Sequence, residues 1–257
     1  MTRVIVCTSG KGGVGKTTLV SNLAANLTEL GQQVIVVDAN LTTPNLGLHL
    51  GLHLAPNTLH DVLRGDVKIK NATYIHPLGF GVIPASMNLN DLKDVDVGRL
   101  PEVTLNLLGK ADYVILDCAA GLGREAASAI SASTEVLIVT NPDLPSVADA
   151  LKTIKIAKDT GKSITGIVVN RVKGKEHELK KAEIEEILEA PVLSEIPEDK
   201  NVSKSIARKI PLSSFSPDSP ASVEIRRLSH LLCGKPFKHK EPKNFRILER
   251  LVGWMTG

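Results

Sequence analysis

The sequence predicts an α/β domain in which a mostly parallel central sheet is flanked by helices on both faces. Three observations carry that prediction: short Val- and Ile-rich runs recur along the chain, they are apolar throughout instead of alternating, and helix-like stretches separate most of them. VIVC at 4–7 is the first such run; the stretch LVSNLAANLTEL then reads as a helix that stops at Gly31. VIVVD at 34–38, FGVIPA at 80–85, YVILD at 113–117 and EVLIVT at 135–140 read as further strands. SVADALKTIKIAKDT, a helix closed by Gly161, leads to ITGIVVN at 164–170. LKKAEIEEILEA, closed by Pro191, leads to a last short strand in PVLSEIP at 191–197. Apolar runs without alternation are what strands need when helices cover both of their faces.

The totals narrow the classes. A chain of 257 residues with 42% hydrophobic content can bury one large core, so residues 1–233 are expected to form a single domain. Its 31 basic and 28 acidic side chains nearly cancel, which does not announce a nucleic-acid binder and leaves only a local basic patch as a route to DNA or anionic membrane. Cys7, Cys118 and Cys233 are far apart and form no C-x-x-C pair, so they read as plain thiols and not as cluster or zinc ligands. His49, His53 and His60 fall in one region without a recognised ligand spacing. The start, MTRVIVCTSG, is too short in its apolar run for a signal peptide, and no window reaches the roughly 20 apolar residues of a membrane span. A cytoplasmic protein is expected. GKPFKHKEPK at 234–243, with two prolines and four lysines, breaks the packed pattern and reads as an extended basic linker.

Residues Gly10 to Thr17, GKGGVGKT, satisfy the pattern G-x-x-x-x-G-K-[ST] directly after a strand and at the opening of a helix. Gly12, Gly13 and Gly15 let the backbone bend so that consecutive N–H groups face phosphate oxygens, and the helix that follows adds the positive end of its dipole. Lys16 is expected to reach the β- and γ-phosphates, and the Thr17 hydroxyl to ligate Mg²⁺ directly. Asp117 ends a buried run, where an acid can hold the magnesium through water.

KGGVGKTT at 11–18 resembles the deviant Walker A motif of the MinD/ParA group of P-loop ATPases. VVDANLTTPNLGLHLG is similar to the group's switch I, DCAAGLGRE to its Walker B and switch II, and VVNRV with IPEDKNV to its adenine-binding elements. The likeness spans almost the whole chain and, within the group, points to MinD proteins of archaeal type. It implies a P-loop NTPase fold, ATP hydrolysis to ADP with Mg²⁺, and a homodimer with nucleotide between the subunits. Gly10, Lys11, Gly12, Gly13, Val14, Gly15, Lys16, Thr17 and Thr18 would then form the phosphate site. Lys11 would cross the interface to the partner's phosphates. Asp38 would orient the attacking water or the magnesium shell. Asn170 would read the adenine edge, with Arg171 beside it and the backbone of Pro197, Glu198 and Asp199 enclosing the base. One position departs from the group: switch I commonly reads D-x-D, and this chain has Asp38, Ala39, Asn40. Asn40 keeps an acceptor of similar size but loses the charge and the ability to take a proton, so slow basal hydrolysis is expected beside a tolerated neutral substitution.

The chain ends in NFRILERLVGWMTG, 244–257. On a helix at about 100° per residue, Phe245, Ile247, Leu248, Leu251, Val252, Trp254 and Met255 share one half of the wheel, with Arg246, Glu249 and Arg250 opposite. A helix docked on the protein's own core shows the same stripe. The basic linker, and the resemblance to the group's carboxyl-terminal membrane-targeting sequence, favour a membrane helix that binds anionic headgroups at the inner face of the cell membrane. One short helix binds weakly, so two copies in an ATP dimer gain avidity. The expected role is spatial regulation of cell division or of polar structures, with an activating protein not identified by the sequence. The rivals are a ParA-like partition ATPase that uses DNA through Lys152, Lys155 and Lys158, a nucleotide-gated scaffold with little turnover, and a cluster carrier of the Mrp type, which the missing C-x-x-C disfavours.

Overall fold

The computed structural model describes residues 1–237. The linker beyond Phe237 and the amphipathic segment 244–257, with all of its expected membrane-facing residues, lie outside the described residues. The strands are β1 (Arg3–Ser9), β2 (Val34–Ala39), β3 (Tyr74–Ile75), β4 (Gly81–Ile83), β5 (Tyr113–Ala120), β6 (Glu135–Thr140), β7 (Ser163–Val172) and β8 (Val192–Pro197). The helices are α1 (Lys16–Glu29), α2 (Leu46–Leu50), α3 (Leu59–Arg64), α4 (Leu100–Leu105), α5 (Arg124–Ala132), α6 (Leu144–Asp159), α7 (Lys181–Leu188), α8 (Asn201–Ala207), α9 (Leu212–Phe215) and α10 (Pro220–Leu232).

The strands form one sheet in the order β3-β4-β2-β5-β1-β6-β7-β8, and every neighbouring pair is parallel except β3 with β4. All the expected runs are present as strands, within three residues at their ends. β3 was not foreseen: two residues carry no periodicity, and Tyr74–Ile75 becomes a strand only by pairing with β4. Alternate residues of β1 serve opposite faces. Val4 and Val6 pack in one core with Leu59, Ala126, Ile130 and Ile154. Ile5 and Cys7 pack in the other with Leu19, Leu23, Ile225 and Leu228 of α1 and α10. Burial on both sides explains why the run VIVC has no polar alternation. Because β1 has β5 on one side and β6 on the other, the loop after it opens at the point where the strand order reverses, the usual crevice for a ligand.

The opposite end of the sheet is fastened by Arg3. Its guanidinium donates to both carboxylate oxygens of Glu135 at 2.7 and 2.6 Å and also to the carbonyl of Leu232, which accepts the Tyr113 hydroxyl at 3.0 Å as well. These bonds fix the last turn of α10. The expected boundary after residue 233 is softer than the sequence suggested, because 234–237 fold back on the body: Lys235 N donates to His230 O at 2.9 Å, Lys235 Nζ reaches Leu30 O, and the Phe237 ring meets His230 edge-on at 5.2 Å.

The Arg3 bond holds the Glu135 carboxyl below the usual glutamate range. A group whose pKa falls on folding stabilises the fold above its unfolded pKa, and that contribution disappears as pH drops through the folded value. Arg3→Ala is therefore expected to cost roughly 1–3 kcal/mol at neutral pH. Urea titrations at neutral and acid pH should show the gap between wild type and variant shrinking as the carboxylate protonates.

Candidate nucleotide-binding site

The loop between β1 and α1 turns at Gly13 and Gly15, which adopt φ of +77° and +100°, a region that side chains with a Cβ avoid. Two glycines are also held by close approach. A Cβ on Gly10 would stand 2.3 Å from the Asp149 carbonyl in α6, and one on Gly15 would stand 2.2 Å from the Asn170 amide nitrogen. The loop is thus wedged between α6 and the end of β7. Lys16 is only 8% exposed, and its ammonium donates to the Ser9 hydroxyl at 2.8 Å, while that hydroxyl donates to Lys11 O at 2.7 Å. Lys11 itself is exposed, and its ammonium has no partner among the described residues. Ser9 escaped the sequence reading; its only signal is its place immediately before Gly10.

Asp38 and Asp117 stand opposite each other in register toward the carboxyl ends of adjacent strands, and both are buried. Burial first, and the facing Asp117 carboxylate second, push the Asp38 pKa well above the ordinary aspartate range, against three backbone N–H donors that pull it down. Burial raises Asp117 to about 6, with the Thr17 hydroxyl and the Lys16 charge acting the other way. Asp117 Oδ1 is buried and has no hydrogen-bond partner among the described residues. A hydroxyl, an orphaned carboxylate oxygen and a second carboxylate beside it are hard oxygen donors, a set that suits Mg²⁺.

Asn40 does something the sequence did not indicate. Its Nδ2 donates to Thr43 O at 2.6 Å, and its Oδ1 accepts from Thr43 N at 3.3 Å and Thr43 Oγ1 at 3.1 Å. An aspartate can supply only the acceptor half of this turn.

Beside the glycine loop lies a cavity of about 350 Å³. Gly15, Thr18, Asn170, Arg171, Pro197, Glu198 and Asp199 all line it, so the structure brings the expected adenine-site residues to one place next to the phosphate loop. Leu19, Val139, Val168 and Ile196 give it an apolar lining suited to a flat base. Ser203 and Ile206 of α8 and Ile225 of α10 also line it, and sequence reasoning missed them because they lie beyond the last motif. Asn170 also reaches the phosphate loop: its Nδ2 donates to Val14 O at 2.6 Å, which takes one N–H of the amide. Asp199 Oδ1 accepts from Asn201 N at 2.8 Å, and its buried Oδ2 has no hydrogen-bond partner among the described residues. An ion pair between Lys173 and Glu198 at 3.3 Å spans the outer side.

A glycine loop at the switch point of a parallel sheet, with a buried lysine, paired aspartates and a base-sized cavity, defines the class: a P-loop nucleotide-binding protein. The chain belongs to the CobQ/CobB/MinD/ParA nucleotide binding domain family, whose model matches residues 5–212. It is 42% identical to an uncharacterized ATP-binding protein of Methanocaldococcus jannaschii, over 98% of each chain. Among solved structures, it is similar to the septum site-determining protein MinD of Pyrococcus horikoshii complexed with Mg-ADP, with a TM-score of 0.88, 35% identity, and coverage of 90% of this chain and 96% of that one. It is also similar to a chain of the MinC:MinD cell division complex of Aquifex aeolicus, with a TM-score of 0.81, 30% identity, and coverage of 93% and 98%.

Gly10→Ala forces the loop away from α6 without touching a catalytic side chain. It is expected to weaken nucleotide binding roughly 10- to 100-fold, the scale of an ångström-level misplacement. Titration with a fluorescent ATP analogue measures this, and an unchanged circular dichroism spectrum shows that the fold survives.

Proposed function

We propose that the protein is a slow MgATPase that dimerises with ATP between its subunits and associates reversibly with anionic membrane, acting in the spatial regulation of cell division or of polar structures. The observation that carries this reading is Lys11, exposed and without a side-chain partner among the described residues, in a loop whose own lysine, Lys16, is turned inward. One lysine serves the loop's own nucleotide; the other is free to serve a second. The dimer and the magnesium site are supported further by the likeness to MinD proteins, one complexed with Mg-ADP and one with MinC.

In this reading the backbone of Gly12 to Thr18 cradles the phosphates, Lys16 meets the β- and γ-oxygens, and Lys11 crosses to the partner's nucleotide. Magnesium, when bound, would neutralise phosphate charge from a position held by Thr17, with Asp38 and Asp117 taking its water shell. Asp38 also orients the attacking water. The Asn170 side-chain oxygen would accept from the exocyclic amine of adenine, which favours adenine over a base lacking that donor. Hydrolysis then separates the dimer and releases the membrane.

The basic row on α6 gives the DNA-binding alternative little support: Lys152 pairs with Asp149 at 3.0 Å and Lys158 with Glu189 at 3.4 Å, so much of its charge is already answered. Membrane binding rests on the sequence of 244–257 and the basic linker.

Liposome pelleting tests the whole scheme. The intact chain should pellet with anionic vesicles in ATP and much less in ADP, by roughly tenfold if two tails act together. A truncation after Gly234 and the Lys11→Ala variant should both stay in the supernatant, whereas equal pelleting of intact and truncated chains overturns the tail assignment. Cosedimentation with DNA in place of vesicles marks the rival function.

Basal turnover is the second test. The uncharged Asn40, held in its turn by Thr43, is expected to keep phosphate release slow, and Asn40→Asp should raise the steady-state turnover number. A turnover number that does not move removes Asn40 as the cause.

A further inference from the structure

The loop that joins β2 to α2 has an unusual hydrogen-bond pattern. Every backbone N–H from Asn40 to Leu46 ends on a side-chain acceptor, Pro44 having none to give. Asn40 N, Asn45 N and Leu46 N donate to Asp38 at 3.3, 3.2 and 3.0 Å. Thr43 N donates to Asn40 Oδ1. The other two, Leu41 N and Thr42 N, donate to Glu125 Oε2 at 3.0 and 3.5 Å, and the Thr42 hydroxyl donates to Glu125 Oε1. Two of these acceptors are local to the loop. Glu125 is not: it is the second residue of α5, on the far side of Asp117 in the chain.

Glu125 is well placed to hold that position. The first turn of α5 favours a negative charge, and the loop N–H groups supply charge-assisted bonds that a neutral side chain makes less well. The segment leading into α5 is itself tied to the phosphate loop. Gly121 N donates to Ser9 O at 3.0 Å, and the hydroxyl of the same Ser9 receives the Lys16 ammonium. Gly121 has a φ of +84° and Gly123 has no Cβ neighbour within contact, so 121–123 can reorient at low cost. A continuous set of bonds therefore runs from Lys16 through Ser9 and Gly121 to α5, and from Glu125 to the loop that surrounds Asp38.

We propose that Glu125 is a positioning residue: it clamps the 40–46 loop to the start of α5, so that movement of residues 118–123 on nucleotide binding reaches Asp38 through this one carboxylate. The clamp makes order in one segment depend on order in the other. The transmission step rests on the nucleotide-binding function proposed above; the clamp itself does not.

Amide hydrogen exchange on the full chain tests both parts separately. Without nucleotide, Glu125→Ala should speed exchange at Leu41 and Thr42 by about 10-fold or more, with strand amides unchanged, since only local opening is affected. Glu125→Gln should show a smaller increase, Thr42→Val a partial one, and Thr42→Ser none, because serine keeps the hydroxyl. With saturating MgADP, the wild type should change its exchange in 40–46 and 118–125 together. In Glu125→Ala the 118–125 response should persist while the 40–46 response is lost. Unchanged exchange at 41–42 in both Glu125 variants overturns the clamp, and a 40–46 response that survives in Glu125→Ala overturns the transmission. Failure of the wild type to bind MgADP in a parallel calorimetric titration would count against the proposed function and leave the nucleotide-free comparison as the test of the clamp.

Discussion

Two carboxylates buried side by side set the terms for the rest of the site. Asp38 and Asp117 are paired in register on neighbouring strands, and each is nearly inaccessible to water. Taking two like charges out of solvent is costly, and the raised pKa of both groups is the signature of that cost. The surroundings offset it with specific partners. Asp117 has Thr17 and the Lys16 charge, which requires the phosphate loop to fold over it. Asp38 has three backbone N–H groups from the 40–46 loop, which requires that loop to close. The oxygen of Asp117 left without a partner is the place where the compensation is incomplete, and such gaps concentrate where a protein binds a ligand.

This arrangement explains what the sequence disclosed and what it withheld. The glycine loop was legible because its chemistry is contiguous: eight residues contain the turn, the lysine and the hydroxyl. Most strands were legible because burial on both faces leaves an uninterrupted apolar run. β3 was not, since a two-residue strand exists only through its neighbour. Glu125 was invisible for a different reason: its partners, Leu41 and Thr42, lie more than eighty residues away, and nothing in a run such as GREAAS marks a carboxylate as pointing at another segment. The adenine-side residues came from resemblance, and the structure shows why residue type alone understates them. Asn170 divides its amide between the cavity and Val14 O, so it joins the base side to the phosphate side.

Asn40 shows how a motif read one position at a time can mislead. Viewed as the second acid of a D-x-D pattern, it is a lost charge. In the structure it is a donor and acceptor that closes a turn on Thr43 and helps to complete the set of bonds around Asp38. The loop has exchanged a second ionisable group for geometric definition.

The layout of the sheet also constrains how nucleotide and tail can communicate. The phosphate loop leaves the end of β1, whereas the last turn of α10 is gripped by Arg3 at its start. Seven residues of strand at about 3.3 Å each put roughly 20 Å of packed sheet between them. Lys235 and Phe237 hold to α10 and the end of α1, at that same far end. The origin of the linker and the phosphate loop therefore sit at opposite ends of the sheet. In the proposed ATP dimer no direct contact between nucleotide and linker is needed: two weak tails on one body would bind far more tightly than one without any change in either. On the proposed reading, the coupling between ATP and membrane resides in assembly through Lys11 and not in a contact within one subunit.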